Sequence, residues 1–249
     1  AIGGGYEVAN SCRFNDGDSA YMHKTPSSAG DTKKFTVSFW VKRASLAETD
    51  FHILNTRASD NDRFHILFYQ NDLWVINVSS GSTTLKFITD RKFRDPSAWY
   101  HIVVARNSGA TGAANQVKIY VNGALQTLGT NAGCNVSQFL RTGLNSRIGA
   151  SQNGSAYYVD MYMAEFVAID GQMLTPTSFG EYDEDSPTIW KPKDVSGLTF
   201  GTNGFYLDFE DSGDLGDDES GNTNDFTETN LAAADQATDT PTNNFCTLN

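Results

Sequence analysis

The strongest constraint in this chain is a two-residue alternation of apolar and polar side chains that returns along most of its length. In residues 35–41, Phe35, Val37, Phe39 and Val41 fall on one face, and Thr36, Ser38 and Trp40 on the other. Successive side chains of an extended strand point to opposite sides, so this pattern predicts a strand buried on one face. Residues 63–69 and 73–78 predict two more strands, separated by Gln70, Asn71 and Asp72 in a loop short enough for a hairpin. Residues 99–106 and 117–121 are rich in β-branched side chains, and the second run ends at Asn122-Gly123, a pair suited to a tight hairpin turn. Residues 157–169 are the longest β-like run, and 205–209 alternate again. One helical turn is expected at 174–179, where Pro176 suits a first helical position. About a dozen short strands predict an all-β, two-sheet antiparallel jelly-roll sandwich. Its expected core includes Phe35, Val37, Phe39, Val103, Ile119, Val121, Phe166, Phe205 and Phe209.

At 249 residues, 39% hydrophobic and 12% aromatic, the chain can fill such a core. No stretch approaches the roughly 18 apolar residues of a membrane span. The net charge of -12 argues against a nucleic-acid partner, whose phosphates would repel it. The charge is uneven: residues 1–125 carry a net +3 and residues 126–249 a net -15. From 212 onward the sequence is rich in Asp, Asn, Thr and Gly and poor in large apolar groups. The expected organisation is therefore a sandwich over 1–211 and an acidic extended arm over 212–249. Such an arm gains order from contact with a neighbour, which implies a homo-oligomer or a multi-copy assembly.

The three cysteines, Cys12, Cys134 and Cys246, have no metal-ligand spacing and are expected to be free thiols, as in a chain assembled in a reducing cytosol. No secretory leader opens the sequence, and Ala1-Ile2-Gly3-Gly4-Gly5 reads as a start from which an initiator Met has been trimmed.

Two runs, Trp99-Tyr100-His101-Ile102-Val103-Val104 and Val117-Lys118-Ile119-Tyr120-Val121-Asn122-Gly123, resemble the paired central strands of concanavalin A-like domains of the laminin G-like and pentraxin-like kind. Ser11-Cys12-Arg13-Phe14 and Ser38-Phe39-Trp40-Val41-Lys42 resemble the two early strands of that fold. Arg147-Ile148-Gly149, Ala164-Glu165-Phe166 and Asp170-Gly171-Gln172-Met173-Leu174-Thr175 resemble its late strands and following turn. A narrower resemblance, to such domains in marine bacteriophage structural proteins, rests on residues 14–21, 94–100, 204–209 and 239–245. One departure is Met161, where that group has Gly after the residue matching Asp160. The narrower resemblance implies a virion surface location after assembly in the host cytoplasm. The partners it implies are other virion proteins and a host-surface glycan, bound for adhesion without turnover. The alternative is a purely structural decoration or fibre segment, using the sandwich for protein–protein contacts.

Catalysis of the laminarinase type needs closely spaced acids on one strand face. The nearest candidates, Asp160 and Glu165, are five apart, and an unbulged strand sends them to opposite faces. A structural role for Glu165, paired with a buried Arg or capping a turn, is the expectation. His52 and His65 are expected on neighbouring strands, but no Asp or Cys stands at ligand spacing, so these two, like His23 and His101, are expected to be core or surface histidines. Sugars need an aromatic platform beside planar polar groups. The candidates are Tyr69, Asn71, Asp72, Trp74, Gln152, Asn153, Tyr157 and Tyr158. Calcium, as the one cofactor to consider, has candidate ligands in Asp217, Asp218, Asn222 and Asn224, with no EF-hand order among them.

Overall fold

The computed structural model describes residues 5–46, 50–132, 139–152 and 157–243, with the backbone alone for 84, 113–114 and 128–132. Asn153, Cys134 and Cys246 lie outside the described residues. The strands are β1 (Ser11–Phe14), β2 (Tyr21–Lys24), β3 (Lys34–Arg43), β4 (Asp50–Ser59), β5 (Asp62–Tyr69) and β6 (Asp72–Ser79). They continue with β7 (Ser82–Lys92), β8 (Tyr100–Asn107), β9 (Val117–Val121), β10 (Ala124–Leu125), β11 (Leu128–Ala132) and β12 (Asn145–Ile148). The last are β13 (Met161–Asp170), β14 (Gly180–Tyr182), β15 (Trp190–Pro192), β16 (Phe205–Leu207), β17 (Thr227–Thr229) and β18 (Gln236–Ala237). The first sheet runs β10-β9-β8-β3-β13-β1-β18, with β16 also on β13. The second runs β11-β7-β6-β5-β4-β12-β2-β17, and β14 and β15 form a separate hairpin.

The predicted turns form for the expected reasons. Asn122 and Gly123 both take positive φ, 48° and 77°, as a tight hairpin between β9 and β10 requires. Gly123 is needed twice over, because a Cβ there would meet the Trp190 ring at 2.6 Å. The predicted helical turn is a single 3-10 turn at Pro176–Ser178.

Between the sheets lies a phenylalanine-rich core. Phe39 stacks on Phe166 with centroids 5.1 Å apart, and Phe35 meets Phe64 edge-on at 5.5 Å. All nine residues expected in the core are buried. The half-buried reading of 35–41 needs correction. In β3, as in β8 and β13, the side chains of both faces are buried. A second apolar layer covers the first sheet from outside: Phe179, Val195, Phe200 and Tyr206 over Val103, Val167 and Ile169. Val8 joins Trp40, Trp99 and Ala164 in a further cluster on this sheet.

The segment after 211 also differs from expectation. It is ordered against its own sandwich. β17 extends the second sheet beside β2, β18 extends the first beside β1, and Phe226 is buried edge-on against Phe205 at 4.7 Å. Asp239 accepts from Lys42 Nζ at 2.6 Å and from Trp99 Nε1 at 3.0 Å. The sequence could not signal this, because the segment is anchored by isolated side chains and not by a period.

β13 carries a bulge between Ala164 and Val167, with Glu165 at φ 49°. Its neighbour changes there: β1 pairs with Met161–Met163 and β16 with Phe166–Ala168. The assumption of an unbulged strand at Asp160 and Glu165 therefore fails. The extra residue is accommodated beneath Tyr6 and Tyr206, whose hydroxyls reach Glu165 at 2.9–3.2 Å. The expected Arg partner is thus a pair of tyrosines. Burial pushes the Glu165 carboxyl up to about 8, against the pull of the two hydroxyls.

Two outcomes follow from these packings. Phe226→Ala should cost about 3–5 kcal/mol in urea denaturation, as for other buried Phe truncations, and a cost below about 1 kcal/mol would detach the segment from the sandwich. Between pH 4.5 and 8 the unfolded chain releases the Glu165 proton while the folded chain keeps it, so this group lowers stability as pH rises through that window. Glu165→Gln should remove that contribution, gaining up to roughly 3–5 kcal/mol on the wild type between pH 5 and pH 8. A difference that stays flat with pH would mean that the folded chain holds this carboxyl ionised.

Candidate functional site

The two sheets differ in what lies outside them. The second sheet has an open hollow of about 210 Å³ on its outer face, lined by Asp50, His52, Arg63, His65, Leu67, Tyr69, Trp74 and Ile76. Alternation builds it. Phe64, Ile66 and Phe68 of β5 enter the core, which turns Arg63, His65, Leu67 and Tyr69 outward. On β6, Leu73 and Val75 enter the core and Trp74 and Ile76 turn outward. The register sets Leu67 opposite Trp74, His65 opposite Ile76, and Asp50 of β4 opposite Tyr69.

Two of the aromatic candidates from the sequence, Tyr69 and Trp74, line the hollow, and a third, Tyr157, packs on His52 of its lining. Tyr69 and Trp74 lie with centroids 4.6 Å apart, and Tyr157 lies 5.5 Å from His52. Tyr69 is 36% and Tyr157 38% exposed, so both rings are reachable from solvent. Lys86 Nζ sits 4.5 Å from the Trp74 ring centroid.

The other expected residues are occupied elsewhere. Asn71 accepts from Arg43 at 3.5 Å, and Asp72 is ion-paired with Lys92. Gln152 donates to Asn145 Oδ1 at 3.0 Å, and Tyr158 bridges to Ala150 and packs near Tyr21 at 6.2 Å. The calcium candidates form a hydrogen-bonded turn. Asp218 accepts from the backbone N–H of Tyr206, Ser220 and Asn224 and from the Ser220 hydroxyl, at 2.7–3.0 Å. The Asn222 and Asn224 amide nitrogens donate to the carbonyls of Gly201, Thr202 and Gly204. These side chains fasten the chain to itself, and Asp217 adds a backbone bond from its N–H to Asp214. Among the described residues no three His, Cys, Asp or Glu side chains are grouped to hold a metal.

What sequence reasoning missed lies on the floor of the hollow. His65 Nδ1 is 3.0 Å from His52 Nδ1 and 3.0 Å from Asn55 Nδ2. Burial, with Arg57 and Arg63 nearby, pulls His52 down to about 4, and burial with His52, Arg63 and Arg57 pulls His65 well below the usual imidazole range. His65 Nε2 and Trp74 Nε1 are buried without a hydrogen-bond partner among the described residues. Carrying the alternation of 63–69 through to its outward face would have joined Arg63 and His65 to Tyr69. By contrast His101, under the first sheet's outer layer, is fully used. Its Nδ1 accepts from Trp190 at 2.8 Å, its Nε2 lies 2.8 Å from the Ser38 hydroxyl, and it stacks on Trp40 at 4.8 Å.

Comparison with known proteins agrees with this architecture. A candidate carbohydrate-binding protein from Bacteroides ovatus superposes with a TM-score of 0.57 at 12% identity, over 90% of this chain and 59% of that one. A native heptameric SAP-like pentraxin from Limulus polyphemus superposes with a TM-score of 0.50 at 14% identity, over 68% of this chain and 80% of the pentraxin. At such identities the likeness is one of fold, and this chain spans about three fifths of the Bacteroides protein. No curated protein sequence matches the chain. Residues 15–177 match the Laminin_G_3 family model, and the chain belongs to that family, the concanavalin A-like lectin/glucanases superfamily.

Proposed function

We propose that this domain is a non-catalytic carbohydrate-binding module whose saccharide site is the hollow on the outer face of the second sheet. The observation that carries the reading is the pairing of Tyr69 and Trp74 in one open hollow that also holds unpartnered polar atoms, with Tyr157 packed on His52 of its lining. Apolar sugar faces stack on such rings, and sugar hydroxyls satisfy exactly the kind of buried polar atom left unpaired there. The similar Bacteroides protein is described as a candidate carbohydrate binder, which supports the same class of ligand. Glu165, the buried acid nearest to glycosidase spacing, is sealed under Tyr6 and Tyr206, which supports binding without turnover.

The finer reading places the module on a virion surface, contacting a host-surface glycan in many copies beside other virion proteins. It rests on the phrases at 14–21, 94–100, 204–209 and 239–245. The similar pentraxin is heptameric, which shows the fold in a multi-copy setting. A sugar on Trp74 has to displace Lys86 from the ring, at about 0.5–1 kcal/mol. Weak single-site affinity, around millimolar or about -4 kcal/mol, is therefore expected, with attachment supplied by multivalency.

A glycan array probed with multimerised protein tests this directly. Trp74→Ala and Tyr157→Ala should each lower saccharide binding roughly tenfold, the scale of one lost stacking contact, with little change in thermal melting. An array on which neither the wild type nor the variants show any saccharide dependence would favour the structural-decoration reading.

A further inference from the structure

We infer that the hollow selects a saccharide carrying one terminal anionic group, a carboxylate or a sulfate, held by Arg63 and by Nε2 of His65. The inference rests on the carbohydrate-binding reading and adds the charge of the ligand to it. Three observations on the floor of the hollow lead there.

The first is the proton on His65. With the Asn55 amide nitrogen turned to the ring at 3.0 Å, His65 Nδ1 is the acceptor of that bond. A neutral imidazole accepting at Nδ1 carries its hydrogen at Nε2. That Nε2–H is buried, has no partner among the described residues, and belongs to a side chain only 6% exposed. An unmet donor in such a place costs free energy that an acceptor from a ligand recovers.

The second is the guanidinium. Arg63 is half-buried on the same outward row of β5, two residues from His65, and makes no ion pair among the described residues. Arg57, next to it across the strands, is already paired with Asp60. Both arginines oppose protonation of the His pair, which marks the potential at this end as positive. Trp74 Nε1, diagonal to His65 in the register, is a further unmet donor. Arg63, His65 Nε2–H and Trp74 Nε1–H are donors, and a carboxylate or sulfate is an acceptor-only group that can take more than one of them.

The third is the opposite end. Asp50, the one carboxylate lining the hollow, stands opposite Tyr69, six residues along β5 from Arg63. That separation is about 20 Å at strand rise. Burial raises the Asp50 pKa. It suits hydroxyl donors and repels a second anion. A singly charged terminal unit therefore fits better than a uniformly sulfated chain. A hollow of about 210 Å³ is also smaller than sites for whole drug-sized ligands, which start near 300 Å³, and suits one end unit.

The test uses the full chain, multimerised, on an array of matched glycans ending in a neutral sugar, in a carboxylate-bearing sugar, or in a sulfated sugar, with a uniformly sulfated polymer alongside. The wild type should prefer one or both singly charged series over the neutral series by about tenfold, the scale of one charge-assisted contact, and over the polymer. The two acidic series separate the two sources of negative charge. Arg63→Gln should bring acidic glycans down to the level of the neutral series, with thermal melting unchanged. Arg63→Lys should restore part of the preference, and added NaCl should erode it in the wild type. Equal binding of neutral and acidic series, a preference for the polymer, or an Arg63→Gln variant that keeps the acidic preference would overturn the inference while the carbohydrate reading stands. Binding to no glycan at all would overturn both.

Discussion

The covering of one sheet from outside determines how the rest of the molecule is arranged. In the first sheet, β3, β8 and β13 are buried on both faces, because Phe179, Val195, Phe200 and Tyr206 lie over one half and Val8, packed with Trp99, over the other. Burying an outward face brings polar side chains with it, and each must then find a partner. Ser38, His101 and Trp190 solve this together, in a hydrogen-bonded stack closed against Trp40. Glu165 solves it with two tyrosines at the bulge, at the cost of holding its proton to about pH 8. In these clusters the polar groups are spent on one another. The second sheet's outer face stays open, with the hollow between Asp50, Arg63 and Trp74.

The same accounting distinguishes the two faces more sharply than shape does. Native interiors leave few buried polar atoms unpaired, and each exception asks for a reason. Asn55 Oδ1, His65 Nε2 and Trp74 Nε1 are three such exceptions gathered on β4, β5 and β6. Arg43 is another, but it lies in the core between Phe51 and Phe68, each centred 5.0 Å from its guanidinium carbon, and donates to the Phe93 carbonyl at 2.8 Å. Its surroundings are aromatic rings rather than an opening. An unpaired group in a closed core reads as a structural compromise. An unpaired group lining an open hollow beside accessible tyrosines reads as a ligand's partner.

The sandwich was legible because period-2 alternation survives wherever one face meets the core: Phe35, Val37 and Phe39, or Ile119 and Val121, are placed by parity alone. Tyr69 and Trp74 were legible for the same reason, as large rings on outward positions. Parity does not say what lies beyond the outward face. Thr36, Ser38 and Trp40 looked solvent-facing because they are polar or amphipathic, yet they are buried beneath chain from other parts of the sequence. The 212–243 segment failed for a related reason. Its attachment depends on single residues, Phe226 and Asp239, set among many Asp and Asn that mostly build turns. The bulge at Glu165 left no trace in composition, since its cause is the change of neighbour from β1 to β16.

The charge split of the chain takes on a different meaning once the fold is known. The acidic second half does not form a separate body. It includes Asp218, Asp225 and Asp239, whose oxygens are spent on backbone N–H groups, on Lys42 and on Trp99. The basic excess of the first half falls partly on β4–β7, where Arg57, Arg63, Lys86, Arg91 and Lys92 occur. Arg57 and Lys92 are neutralised by Asp60 and Asp72, and Lys86 rests on an aromatic ring. Arg63 and Arg91 make no ion pair among the described residues, and of the two Arg63 lines the hollow, on a protein whose net charge of -12 repels anions at long range. A negatively charged ligand would be drawn only within about a Debye length of that face, near 8–10 Å at physiological salt. Such a combination favours slow, weak and short-ranged capture over long-range steering, which is the regime in which many copies on one surface decide attachment.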